Sequence, residues 1–252
     1  MKNVVKVRNV TIGEGIPKIC VPIVGNTNEE IIKEIKDLKN INLDLVEWRV
    51  DYYEKVENIS AVKELLASLR EILMDTPILF TFRSVKEGGE KEISKEYYVK
   101  LNKEVLATKL VDLIDVELFT GDEVVKEIVA AAHTFGIKVI ISNHDFLKTP
   151  LEEEIIYRLR KMQELGADLP KIAVMPKNQN DVLTLLSATN EMAQKYADRP
   201  IITMSMSKIG VISRLSGEIF GSALTFGAAK KASAPGQIAA SDLHTLLNIL
   251  HM

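Results

Sequence analysis

Cysteine is almost missing from this chain: Cys20 is the only one in 252 residues. A lone cysteine excludes an internal disulfide and any multi-cysteine metal site, and it suits a reducing cytoplasm. Cys20 lies in an apolar run, where a buried and inert thiol is expected. Histidine is scarce too, with four in all. They include no His-x-His pair of the kind that metal-dependent hydrolase barrels use. No apolar run approaches the roughly 20 residues that a membrane-spanning helix needs. The N-terminal MKNVVKVRNVTIGEG lacks the continuous apolar core of a signal peptide. Lys and Arg number 32 against 35 Asp and Glu, a formal charge of -3, so nothing argues for a nucleic-acid or anionic-membrane partner. No Ser/Gly-rich linker or low-complexity tract divides the chain, and a single domain over residues 1–252 is expected. A soluble protein of the cytoplasm fits all these absences.

What is present is a repeat of alternating character. With 46% hydrophobic and 27% charged residues, the chain has ample material for a core. Short apolar runs predict strands at KICVPIVG (Lys18 to Gly25), DLVEWRVD (Asp44 to Asp51), PILFTFRS (Pro77 to Ser84) and LIDVELF (Leu113 to Phe119). They continue at KVIISNHD (Lys138 to Asp145), KIAVMP (Lys171 to Pro176), PIITMSM (Pro200 to Met206) and SALTFG (Ser222 to Gly227). Between them lie amphipathic stretches with helical spacing, such as NEEIIKEIKDLK and EEEIIYRLRKMQELGAD. The latter starts acidic, turns basic and meets a glycine, as the helix dipole and C-terminal preferences require. Eight strand-helix units point to a (β/α)8 TIM barrel. A doubly wound open sheet is the alternative, but the loop after its first strand, VGNTNEE, lacks the glycine fingerprint of dinucleotide binding. The first fifteen residues stand outside the repeat. VVKV and VTI around Arg8-Asn9 predict a small hairpin capping the barrel floor.

Barrel chemistry sits at the C-terminal ends of the strands, and several polar residues fall there. Glu47 and Arg49 are two apart and share a face, either as an internal ion pair or as ligand-binding groups. Arg83 ends the third strand, and Glu87 follows just before Gly88-Gly89; it is either a solvated loop charge or a carboxylate that this turn swings inward. Asp115 and Glu117 share a face of the fourth strand. The fifth ends in Asn143, His144 and Asp145, and His144 is the candidate general acid/base. Lys171, Ala173 and Met175 share one face of the sixth. Lys171 is either a solvated strand start or an amine inside the lumen, with small Ala173 leaving room above it. Arg214 follows the seventh strand; Ser233 and Gln237 follow the eighth, in the stretch KASAPGQ. An arginine with neutral donors suits a carboxylate, and the stretch itself reads as a lid or as an ordinary surface loop.

These residues form an ordered set of motifs. EWRVD, FTFRS with EGG, SNHDF with KTP, MQELGAD with PKIAVMP, ITMSM and SAPGQ together resemble the type I 3-dehydroquinate dehydratase family. The match runs from about Lys18 to Gln237. The resemblance implies a (β/α)8 barrel, commonly a homodimer, that needs neither metal nor organic cofactor. It implies conversion of 3-dehydroquinate to 3-dehydroshikimate through a covalent imine. By resemblance Lys171 is the Schiff-base lysine, His144 the general acid/base, and Glu87 the carboxylate that positions and tunes His144. Glu47, Arg49 and Arg83 would hold the ring hydroxyls; Arg214, Ser233 and Gln237 would hold the substrate carboxylate and close the lid. Pro22 stands where some relatives carry serine, which leaves a hydroxyl contact from that strand unsupported. Three other readings remain at this point. One is an imine-forming aldolase-type barrel. Another is a metal-dependent isomerase-like barrel using Glu47, Glu117, His144 and Asp145. The last is a silent barrel that only binds.

Overall fold

Alternating side chains on short, β-branched runs can bury two apolar faces at once only in a sheet covered on both sides. The structure, a computed structural model describing residues 4–229 and 233–251, is built on such a sheet. A hairpin of β1 (Val5–Val7) and β2 (Val10–Ile12) comes first. The barrel strands are β3 (Lys18–Ile23), β4 (Leu45–Arg49), β5 (Ile78–Thr81), β6 (Leu113–Glu117), β7 (Lys138–Asp145), β8 (Leu169–Val174), β9 (Ile202–Ser205) and β10 (Leu224–Phe226). All eight are parallel, in the order β10-β3-β4-β5-β6-β7-β8-β9. The ring closes where the Ala223 N–H donates to the Ile201 carbonyl at 2.8 Å and the Thr203 N–H donates to the Ser222 hydroxyl at 2.9 Å. The structure is thus the expected TIM barrel.

The outer ring comprises α1 (Asn28–Asp37), α2 (Ile59–Leu73), α3 (Lys95–Thr108), α4 (Asp122–Thr134), α5 (Glu152–Glu164), α6 (Gln179–Glu191), α7 (Ile212–Leu215), α8 (Gly217–Phe220) and α9 (Ala240–Leu250). Their starts follow the local chemistry: Thr27, Asn58, Ser94 and Asn178 each accept a first-turn N–H through the side chain. Helix α5 has Glu152, Glu153 and Glu154 in its first turn and Lys161 in its last. Among the described residues no helix is long and apolar enough to cross a membrane. Between β9 and β10 two single turns, α7 and α8, replace a full helix. Gly210 marks the reason, since a Cβ there would strike the Ser205 carbonyl and the chain must hug the barrel rim.

Two apolar layers result. Outward residues such as Val46, Trp48, Ile78, Phe80, Ile114, Ile141 and Ile172 pack against the helices. Inward residues Leu45, Leu79, Leu113, Ile140, Leu169, Ile202 and Leu224 fill the bottom of the lumen, in one cluster with Val5, Val7, Val10 and Ile12 of the hairpin. The hairpin therefore plugs the floor, and Arg8 at its turn donates to Asp112 at 2.6 Å. Burial of Cys20 within this cluster pushes its thiol well above the ordinary value, as expected of an inert cysteine.

Register at the floor is pinned by a repeated device. Asp44, Asp112 and Asp168 each stand one residue before β4, β6 and β8. Their carboxylates accept an N–H from the first or second residue of the preceding strand: Ile19 (2.8 Å), Ile78 (2.8 Å) and Val139 (2.9 Å). Such pinning matters because a one-residue slip would turn every inward side chain outward. One expected boundary moves: β8 begins at Leu169, two residues before Lys171. Pro170 lies inside this central strand, an unusual place for a residue without an N–H, and reading it as a boundary starts the strand too late.

Candidate active site

Above the apolar floor, alternation places Glu47, Arg49, Thr81, Arg83, Asp115, Glu117, Ser142, His144 and Lys171 on the inner parity of their strands. The expected boundary at Lys171 gives way to a mid-strand position, and the residue is 3% exposed. This removes the solvated strand-start reading. Its Nζ donates to Asp115 Oδ2 at 3.4 Å and lies 4.3 Å from the centre of the Phe226 ring. Register sets Lys171 beside Ser142, and Ala173 beside His144. The small Ala173 thus keeps open the space into which both the amine and the imidazole project.

The charges are paired, though not always as adjacency in sequence suggests. Arg49 grips Asp51 through Nε and Nη2, both at 2.8 Å, rather than Glu47. Burial alone would lower this guanidinium, but Asp51 holds it above the ordinary value. Glu47 accepts the Thr81 hydroxyl at 2.9 Å. Arg83 bridges Asp115 (2.8 Å) and Glu117 (3.0 Å), and donates to the Ser142 hydroxyl at 2.9 Å. Burial would raise the Asp115 carboxyl, but Arg83 and Lys171 together with the Ser142 hydroxyl hold it below the usual carboxylate range.

Glu87 arrives on a one-turn 3-10 helix, Val85–Glu87, and not on a swinging turn. Gly88, with φ of +82°, passes so close to Phe146 that a Cβ would strike its ring. A Cβ on Gly89 would strike the Arg83 carbonyl. The two glycines therefore serve close packing, and the carboxylate is locked inward. Asp51 holds the same loop by accepting the Arg83 N–H (3.3 Å) and the Glu90 N–H (3.2 Å). Glu87 Oε2 lies 2.9 Å from both the backbone N and Nδ1 of His144, and Oε1 accepts from Asn143 Nδ2 at 3.3 Å. Burial and Glu117 push the Glu87 carboxyl up to about 8, against the opposing pull of Arg83 and Asn143. Burial, then Arg83, Lys171 and Arg49, push His144 well below its ordinary value. The imidazolium–carboxylate form is thus disfavoured at both ends.

Arg214 differs from the other cations. It is 1% exposed, and among the described residues no carboxylate pairs with it. Nη2 donates to the Pro235 carbonyl at 3.2 Å, Nη1 rests 3.7 Å from the Met204 sulfur, and Nε has no partner. Burial alone pushes it down to about 10. The segment carrying Ser233 and Gln237 folds over this guanidinium. Gln237 Nε2 donates to Ser233 Oγ at 3.1 Å, and the Ser207 N–H donates to the Pro235 carbonyl at 3.2 Å. Lys231 and Ala232, which begin the KASAPGQ stretch, lie outside the described residues.

The nine residues given catalytic or substrate-binding roles by the resemblance all line one cavity, with about 470 Å³ of empty space including its open mouth. Phe146, Met204, Met206 and Phe226 give the same cavity apolar walls. Sequence reading passed over Asp51, although EWRVD puts it on the parity of Glu47 and Arg49. It also missed Phe226, which carries no signal beyond its alternation with Leu224. The donors of an isomerase-like metal site do not converge, because Asp145 turns outward and accepts the Leu147 and Lys148 N–H groups at 3.0 Å.

A family model described as type I 3-dehydroquinase matches residues 19–252. The 3-dehydroquinate dehydratase of Clostridioides difficile (strain 630) is 68% identical over 251 residues, covering 100% of this chain and 98% of that protein. The crystal structure of type I 3-dehydroquinate dehydratase from Clostridium difficile with covalent modified comenic acid superposes with a TM-score of 0.97 at 68% identity, covering 99% of this chain and 98% of that one. The 3-dehydroquinate dehydratase structure from Enterococcus faecalis gives 0.93 at 48% identity, covering 98% and 100%.

Proposed function

Since the chain belongs to the type I 3-dehydroquinase family, a hydro-lyase family acting in the shikimate pathway, we propose how its own residues dehydrate 3-dehydroquinate to 3-dehydroshikimate. The observation that carries the assignment is a cavity that holds a buried amine, Lys171, together with a buried guanidinium, Arg214, that pairs with no carboxylate among the described residues. A ketone meets the first and a carboxylate the second, and dehydroquinate has both.

Lys171 adds to the C3 ketone, and loss of water leaves an iminium that accepts electrons from C2. His144 removes the C2 proton to give an enamine. Return of the electrons expels the C1 hydroxyl, protonated by the same imidazole, and hydrolysis of the new iminium frees Lys171. The water lost on condensation is regained there, so the net loss is one water. Arg214 with Ser233 and Gln237 binds the carboxylate, and Glu47, Arg49 and Arg83 bind the ring hydroxyls. The 233–237 segment acts as the lid. The same reading includes a homodimer in the cytoplasm, for which sedimentation equilibrium is the direct measurement. The relative crystallised with covalent modified comenic acid supports a covalent route by likeness.

The Glu87–His144 bond suits a proton that must be taken and then returned. With Glu87 ionised and accepting from Nδ1–H, Nε2 offers a lone pair to the C2 proton. Once that proton arrives, the Nδ1 proton passes along the 2.9 Å bond to Glu87; when Nε2–H protonates the departing hydroxyl, the Glu87 proton returns to Nδ1 and the starting pair is restored. No lasting imidazolium is formed, consistent with the depressed His144 and the raised Glu87. The pair titrates as a unit, and its base form lacks the proton, so kcat/KM should rise with pH and level off above about 8. Glu87→Gln should abolish that limb, because neither group then gains a proton near neutrality. Rate profiles of both proteins between pH 6 and pH 10 check this.

Borohydride reduction in the presence of dehydroquinate, followed by peptide mass mapping, tests the covalent assignment. A single adduct on Lys171 is expected; an adduct on another lysine, or none, would overturn it.

A further inference from the structure

We infer that Arg158, outside the barrel on α5, is a positioning residue for the Glu87–His144 pair and acts by fixing the orientation of the Asn143 amide. The inference rests on the acid/base reading above and extends it to a residue that touches neither the cavity nor the reacting atoms.

Asn143 alternates with His144 on β7, so its side chain points toward the helices while the imidazole points inward. Arg158 Nη1 donates to Asn143 Oδ1 at 2.9 Å, and Asn143 Nδ2 donates to Glu87 Oε1 at 3.3 Å. An amide could present either end to Glu87. A guanidinium has donors only, so the amide oxygen must face Arg158 and the NH2 must face the carboxylate. Turned round, the amide would set N–H against N–H on one side and oxygen against oxygen on the other. Arg158 is itself held on several sides. Its Nε donates to Glu154 at 2.7 Å, its guanidinium lies 5.4 Å over the Phe119 ring, and Asp145 stands 4.0 Å away.

The electrostatic consequence has a definite sign. An N–H donor favours ionised Glu87, the form that leaves His144 as a base. A reversed amide would present an oxygen, favour the protonated carboxyl and hold the pair in its acid form to higher pH. Glu87 also faces Arg83, Glu117 and Asp115 inside the barrel, and His144 faces Arg83, Lys171 and Arg49. On the outer side the wall around Glu87 holds Lys86, Glu92, Lys95 and Tyr98. A change at Arg158 leaves all of these in place.

Arg158→Met keeps the stem and removes the donors. The rising limb of kcat/KM should move up by about one pH unit, the size of a charge-assisted hydrogen bond. Activity at pH 7 should fall about tenfold, with the high-pH plateau within about twofold of wild type. Arg158→Lys keeps a donor-only head and should restore the limb. Asn143→Ala removes the donor itself and should shift the limb alike, and adding Arg158→Met to it should produce no further shift. If Arg158→Met does not fold, Arg158→Gln replaces it with a smaller shift in the same direction. A wild-type limb that Arg158→Met leaves unmoved, or a lowered plateau without a shift, overturns the positioning role. The absence from wild type of any limb that Glu87→Gln abolishes would instead overturn the acid/base reading, and this inference with it.

Discussion

Lys171→Ala protein is expected to dehydrate 3-dehydroquinate on the order of 10⁵-fold more slowly than wild type, the scale on which removal of a covalent nucleophile is felt. Without the amine no iminium forms, and the C2 proton must leave beside an unactivated ketone. Borohydride would then trap nothing. The fold should survive, because Asp115 keeps Arg83 at 2.8 Å and the Ser142 hydroxyl at 2.6 Å once the lysine is gone. Loss of activity with a retained cooperative melt is therefore the expected pair of results. Full turnover in this variant would remove the covalent mechanism outright.

His144→Ala should behave differently in kind. General acid/base catalysis contributes about 10²- to 10⁴-fold, and turnover should fall within that range. Lys171 remains, so the substrate adduct should still be captured by borohydride and seen by mass spectrometry. Single-turnover measurements should show the adduct accumulating while product formation lags. An undiminished rate of product formation would rule out His144 as the proton carrier. Loss of the adduct together with the rate would show that His144 is needed already for condensation. Glu87, left without its Nδ1 partner, would keep the His144 backbone N–H at 2.9 Å and Asn143 at 3.3 Å, so the loop should hold its place.

Much of the barrel is legible because strand alternation and helix periodicity are local. A run such as LIDVE needs no knowledge of its neighbours to send Leu113, Asp115 and Glu117 one way and Ile114 and Val116 the other. The same parity brings Glu47, Arg49, His144 and Lys171 to the lumen, and the order of the motifs along the chain identifies the family. The boundary at Lys171 was legible only in part, because Pro170 is locally a break and becomes strand only through pairing with Ile141 on β7.

Partners belong to the other class of fact. EWRVD reads as a Glu47–Arg49 neighbourhood, yet Arg49 turns to Asp51 and Glu47 to Thr81 on β5. Arg83 lies just past β5, and Asp115, Ser142 and Lys171 lie on β6, β7 and β8; only barrel closure and register set their distances. Whether Glu87 swings or stays was decided by the clearance that Gly88 and Gly89 leave to Phe146 and the Arg83 carbonyl. The sequence sets Arg214 with Ser233 and Gln237, but only its surroundings show that it is buried and pairs with no carboxylate among the described residues. Side-chain direction is a property of a few consecutive residues and can be read along the chain. Charge balance and proton affinity depend on what lies within a few ångströms through space, and for this cavity the fold alone supplies that.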